Sequence, residues 1–163
     1  MKKHILLILL IFSIALLSAE PLNRSIGMSA GYISGSGISY RVMEGKTGYQ
    51  FTAGNLFESE NKDIYSGTNI AGTFYYNLKN KETSRFYLLA GTTLFHIFEK
   101  EEKDEENEEA KRKDVYYLNI GIGIGLEFPL TKHLHASIDW PWYYDNKIKF
   151  IQFIPQAGVH YYF

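Results

Sequence analysis

The sequence predicts an all-β chain, an eight-stranded antiparallel up-and-down transmembrane β-barrel. Three observations predict it. Apolar residues alternate with polar or small ones, with period two, through most of the 163 residues. Beyond Leu17 there is no helical stripe and no apolar run long enough for a membrane helix. A chain of this kind meets lipid only as a closed barrel, because helices and closed barrels alone satisfy every backbone hydrogen bond in hydrocarbon. The third observation is composition: 13 Tyr, 11 Phe and 14 Gly, unusual for a soluble domain of this length.

The N-terminus reads as a leader. Lys2 and Lys3 form a basic start, Ile5 to Leu17 is apolar apart from Ser13, and Ser18-Ala19 offers small residues before a cut between Ala19 and Glu20. A retained anchor is the competing reading, but the run is short of the ~20 residues a span needs and polar sequence follows at once. Residues 1–19 are therefore expected to be a signal peptide and residues 20–163 one barrel domain. The chain has no cysteine, which excludes a lipoprotein, a thiol enzyme or a disulfide scaffold.

The strands follow in order. Ser25 to Ile33 alternates, with Ile26, Met28, Ala30 and Tyr32 on one face and Gly27, Ser29 and Gly31 on the other. Gly35-Ser36-Gly37 reads as a tight turn. Ile38, Tyr40 and Val42 alternate with Ser39, Arg41 and Met43. After Glu44–Gly48, the residues Tyr49, Phe51 and Ala53 continue the pattern to Phe57. Glu58 to Asp63 is polar, and Ile70, Phe74, Tyr76 and Leu78 then face away from Ala71, Thr73 and Tyr75. Lys79 to Ser84 is a charged turn. Arg85 to Phe98 is a strand whose two faces are both apolar, so its parity stays open. Leu118, Ile120, Ile122, Ile124, Leu126 and Phe128 oppose Asn119, Gly121, Gly123, Gly125 and Glu127. Past Pro129–Lys132, the run Leu134, Ala136, Ile138, Trp140 and Trp142 opposes His135, Ser137 and Asp139. The last strand, Ile148 to Phe163, carries Ile151, Phe153, Ala157, Val159, Tyr161 and Phe163 on one face.

The faces choose between architectures. A soluble sandwich or lipocalin-like barrel turns its apolar face inward and covers the outer one with charge. Here the second face is Gly, Ser, Asn and Thr, with isolated Arg41, Glu127, Asp139 and His135. Lys and Glu concentrate in the loops. That pattern predicts lipid outside and a narrow interior of small residues inside. Aromatics gather towards strand ends, as interface girdles do.

These features together, the leader, strands such as YLNIGIGIGLEF and the terminal VHYYF, resemble the small eight-stranded outer-membrane barrels of the OmpA transmembrane-domain and OmpX type. The resemblance is one of pattern over residues 20–163, and the loops match no functional loop of that family. It implies an outer-membrane location in a Gram-negative-type bacterium. Both termini would face the periplasm, and outer-membrane lipid would be the surrounding partner. It also implies that Tyr161 and Phe163 resemble the signal read by the barrel-assembly machinery.

The lone inward charges set the site expectations. An unpaired charge inside a narrow barrel costs several kcal/mol, so Arg41 and Glu127 should pair, with His135 or Asp139 in the same network. Structural plugging is the favoured role, and a gate or proton path is the functional alternative. Residues 99–114, EKEEKDEENEEAKRKD, hold nine acidic and five basic side chains and sum to −4. A solvated loop is the plain reading; binding of a divalent cation, a basic partner or lipid phosphate is the functional one.

Catalysis is not expected. It needs a nucleophile, a base and an orienting group within reach. Of His96, His133, His135 and His160, the last three fall near the rim that carries the termini, and the sequence fixes no Ser or Asp beside His96. No phosphate loop, metal-ligand cluster or basic nucleic-acid stripe is present, so no cofactor, metal or nucleic-acid partner is expected. The expected function is a non-catalytic, monomeric outer-membrane barrel serving envelope structure or surface interaction. A soluble, secreted or periplasmic barrel binding an apolar ligand is the alternative. Deleting Phe163 should lower insertion into the outer membrane, and wild-type levels of the truncated chain in that fraction would remove the assembly role.

Overall fold

A computed structural model describes residues 23–60, 63–81, 84–100 and 112–163. The strands are β1 (Arg24–Ala30), β2 (Gly37–Glu44), β3 (Thr47–Glu60), β4 (Asp63–Lys81), β5 (Ser84–Lys100), β6 (Arg112–Pro129), β7 (Leu134–Asp145), β8 (Phe150–Phe153) and β9 (Gln156–Tyr162). Each pairs antiparallel with its neighbour in sequence, and β1 closes on β9. The expected signal peptide, Ala19 and Glu20 included, lies outside the described residues, as do residues 101–111 of the charged loop.

Nine segments make eight staves. β8 and β9 both pair with β7 in one register, through Trp142↔Phe153 and Asp139↔Gln156. That register sets Ile154 and Pro155 opposite Pro141 and Trp140. Neither proline has an N–H to give, so the ladder lapses there and the expected single last strand divides.

The pairing also measures the slant. From Gly27 the partners run Ser39, Thr52, Ala71, Thr93, Asn119, Asp145 and Phe150. Gly27's own partner on the other side is His160, ten residues beyond Phe150 on the same stave. An offset of that size with eight strands tilts them by roughly 40° and leaves a bore that side chains fill.

Alternation places the faces. Ile38, Phe51, Ile70 and Ile122 are each more than half exposed, whereas Ser39, Arg41, Thr52, Asn119 and Glu127 are buried inside. The parity left open for β5 resolves with Tyr87, Leu89, Thr93 and Phe95 inward and Leu88 and Leu94 outward. Turns follow local chemistry. Gly45 adopts φ 57° in the two-residue link between β2 and β3, a conformation that favours glycine. In the β7–β8 link the Asp145 carboxylate accepts the Lys147 N–H at 2.8 Å, as aspartates do at turns.

The β1–β2 connection also departs from expectation. Gly35–Gly37 is not a surface turn, and Ile33 does not continue the first strand. β1 ends at Ala30, and residues 31–36 fold into the bore, where Ile33 is fully buried. The Gln156 carboxamide oxygen accepts from the N–H groups of Ile33 and Ser34 at 3.0 and 3.2 Å. Asn69 grips Ser36 twice, accepting its N–H at 2.9 Å and donating to its carbonyl at 2.8 Å. Tyr32 stacks on Tyr143 with ring centres 5.4 Å apart. Inward backbone is stable here because side chains of the bore replace water as its partners.

Gly123 shows how tight the wall is: a Cβ there would lie 2.5 Å from the Trp140 carbonyl oxygen and 2.6 Å from Pro141 Cα. Gly123→Leu should therefore destabilise by at least about 1–3 kcal/mol in detergent and in vesicles alike. Ile122→Lys, on the outer face, should cost ~2–4 kcal/mol in vesicles and far less in detergent. Urea midpoints in both media check this; the reverse pattern would invert the strand.

Candidate functional site

The inward positions nearest the chain termini form one charged cluster. β2 brings Arg41, β3 Gln50, β4 Tyr75, β5 Arg85, β6 Glu127, β7 His135 and β9 Tyr162. Arg41 and Glu127 sit at strand positions of the same parity, so the slant of the sheet brings them together across the bore. The Arg41 guanidinium donates through Nη1 to Glu127 Oε2 and through Nε to Gln50 Oε1 at 2.8 Å. It also lies 4.7 Å from the centre of the Tyr75 ring. Arg85 donates to the other carboxylate oxygen, Glu127 Oε1, at 2.7 Å and to the Tyr162 hydroxyl at 3.0 Å. Tyr162 donates to Glu127 at 3.0 Å. His135 Nδ1 stands 3.3 Å from Glu127 Oε1.

Glu127 is thus a carboxylate between two guanidiniums, with Tyr162 and His135 beside it. Arg41 and Glu127 are each 1% exposed, so their charges depend on each other rather than on water. Asp139 makes no direct hydrogen bond to Arg41 or Glu127. It lies two inward positions from His135 on β7, takes the Tyr87 hydroxyl at 2.6 Å, and feels the Arg41 and Glu127 charges through space. Arg85 and Tyr162 are members that sequence reasoning missed. Arg85 was hidden by the open parity of its strand, and Tyr162 by the mixed face of the last one.

His160 lies towards the end that carries the termini, as expected, paired with His135, but it points inward and is fully buried, with its Nε2 2.9 Å from Ser39 Oγ. Cross-strand pairing of both residues with Gly27 creates that contact, since glycine leaves room for the ring. A serine beside a histidine is a nucleophile–base geometry, yet both side chains are fully buried in the bore. His96 stacks on Tyr116 at 4.4 Å and lies 3.7 Å from Asp114, because β5 and β6 pair in that register. His133 stacks on Tyr161 at 5.5 Å. Phe163, half-buried, donates its N–H to the Arg24 carbonyl at 3.0 Å, and Tyr161 faces outward. Among the described residues no group of three His, Asp or Glu side chains is placed to hold a metal ion.

The bore is therefore filled twice, by the 31–36 segment near the long hairpins and by the Arg41–Glu127 cluster near the termini. Comparison with solved structures is decisive for the architecture. The N-terminal β-barrel domain of Pseudomonas aeruginosa OprF superposes with a TM-score of 0.52, covering 88% of this chain and 100% of that one at 15% identity. The chain has the fold of the outer-membrane barrels. Neisserial surface protein A agrees, with a TM-score of 0.51, 13% identity, and 86% of this chain and 93% of that one covered. No family model and no curated protein sequence matches the chain. Identities this low establish the shared fold alone.

The cluster predicts an order of stabilities. Glu127→Ala strands two guanidiniums and should cost the most, about 3–5 kcal/mol. Arg41→Ala leaves Glu127 with Arg85 and should cost less; Arg85→Ala, at the partly exposed end, should cost least. Lys46→Ala, in the β2–β3 turn, should stay within about 0.5 kcal/mol of wild type. Urea unfolding of the reconstituted barrel reads the order, and equal midpoints for Arg41→Ala and Lys46→Ala would remove the pairing from the stability account.

Proposed function

We propose that the chain is a non-catalytic outer-membrane barrel serving envelope structure or surface interaction. One observation carries the reading: an apolar outer face surrounds a charged, hydrogen-bonded and closed interior. Ile38, Phe51, Ile70, Ile120 and Ile122 are more exposed than water would favour for so many large apolar groups on one sheet. Inside, Arg41, Glu127 and Asp139 are nearly inaccessible. A soluble barrel holding an apolar ligand needs the opposite arrangement, with an apolar cavity within. The Ser39–His160 pair, fully buried in the bore, supports a role without catalysis.

On this reading the leader is cleaved between Ala19 and Glu20, the assembly machinery reads Tyr161 and Phe163, and the barrel works as a monomer in outer-membrane lipid. The charged residues 99–114 connect β5 to β6, at the end of the barrel away from the termini, and on this reading they are the contact for a surface partner. Cell fractionation with gel migration before and after boiling tests it. The protein should co-sediment with outer membranes, migrate faster unboiled, and give no conductance steps in planar bilayers. Recovery in the soluble periplasmic fraction would overturn it.

A further inference from the structure

We propose that the outer face of β3 to β8 carries a bound-lipid site, a groove that takes the acyl chain of a phosphate-bearing bilayer lipid; the proposal rests on the membrane reading above. Most outward positions are large and apolar. Two adjoining cross-strand rows break that rule on β4 and β5. Phe51 pairs with Gly72, Gly72 with Thr92 and Thr92 with Ile120. One row further along, Phe74 pairs with Ala90 and Ala90 with Ile122. Gly72, Ala90 and Thr92 thus make a floor of small side chains walled by bulky ones. The hollow has a volume of about 820 Å³ and continues into a second of about 410 Å³ along Tyr76, Leu88 and Ile124.

Gly72 is the telling residue. A Cβ at Gly121 or Gly123 would collide with the neighbouring strand, whereas one at Gly72 meets nothing within 4 Å. Packing of the barrel does not demand glycine at this position, and its effect is to deepen the outer surface. Thr92 adds no free donor to the floor, because its hydroxyl donates to the Asn119 carbonyl at 3.0 Å. In hydrocarbon such a hollow is filled, since an empty one forfeits the dispersion contacts of its lining. A flexible acyl chain matches a long trough whose surface is nearly all apolar.

Charge selects the lipid. Tyr144 and Ile151, which line the groove, pair with each other one step below the β7–β8 link, past Asp145↔Phe150. That link carries exposed Lys149, two residues from Ile151. A lysine there is a point charge at headgroup depth for a phosphate whose chain lies in the trough.

Native mass spectrometry of the folded full-length protein, offered phosphatidylglycerol, phosphatidylcholine or lauric acid, tests the site. Gel migration before and after boiling, and vesicle insertion, report folding for every variant. Wild type should retain phosphatidylglycerol above the other two. Gly72→Leu combined with Ala90→Leu fills the floor and should lower the retained lipid about tenfold. Lys149→Ala should abolish the preference for phosphatidylglycerol over phosphatidylcholine while lipid is still retained. Ala30→Leu, on β1 across the barrel, should change neither. A floor-filled variant that inserts normally yet keeps its lipid would overturn the groove and leave the membrane reading standing. So would equal uptake of lauric acid, or cross-linking of two copies through this face. Failure of wild type to insert at all would overturn the membrane reading and the groove with it.

Discussion

Closure of the sheet on itself, β1 against β9, is the constraint from which the rest follows. A sheet with a free edge leaves a row of N–H and C=O groups unpaired, and a medium without water cannot take them. Closing eight strands with a ten-residue offset fixes both slant and bore. The bore then dictates composition. Glycine, serine, threonine and asparagine recur at inward positions, and each larger group needs a partner across the lumen.

The interior meets that demand differently at its two levels. Near the termini it uses charge, with one carboxylate serving two guanidiniums. Near the long hairpins it uses backbone, drawn in from the β1–β2 connection and held by the side chains of Gln156, Asn69 and Asn119. The two are joined by Gln50, which accepts from Arg41 at 2.8 Å and donates to the Ser34 carbonyl at 3.4 Å. Ionic and neutral hydrogen bonds thus form one connected network, in which loss of any member leaves a buried group unmatched.

The strands, their faces and the Arg41–Glu127 pair were legible because period two is strong where one face is aliphatic and the other nearly bare, as from Leu118 to Phe128. Legibility ended where chemistry repeats on both faces. β5 carries Tyr87 and Leu89 inward against Leu88 and Ala90 outward, so nothing local marked Arg85 as interior. The segment Gly31–Ser36 was misread for another reason. Gly31 to Ile33 prolong the alternation of the first strand, and Gly35-Ser36-Gly37 has the chemistry of a turn. What draws the segment inward is Gln156, some 120 residues away in sequence, and no local rule carries that information. The break in the last strand needed Pro141 and Pro155 to fall in adjacent cross-strand pairs, visible only once register was known.

The inward segment has a consequence for how the chain reaches its final form. The Ile33–Gln156 hydrogen bond joins residues 123 apart in sequence and lies beside the β1–β9 seam. It forms only when the last strand arrives. Seam and filling are therefore coupled and non-local, contacts of the kind that make folding slow. In the closed barrel the 31–36 segment acts as a latch on the inside of the seam, so that parting β1 from β9 also means stripping Ile33 and Ser34 of their acceptor. The line that closes the barrel is here bolted from within.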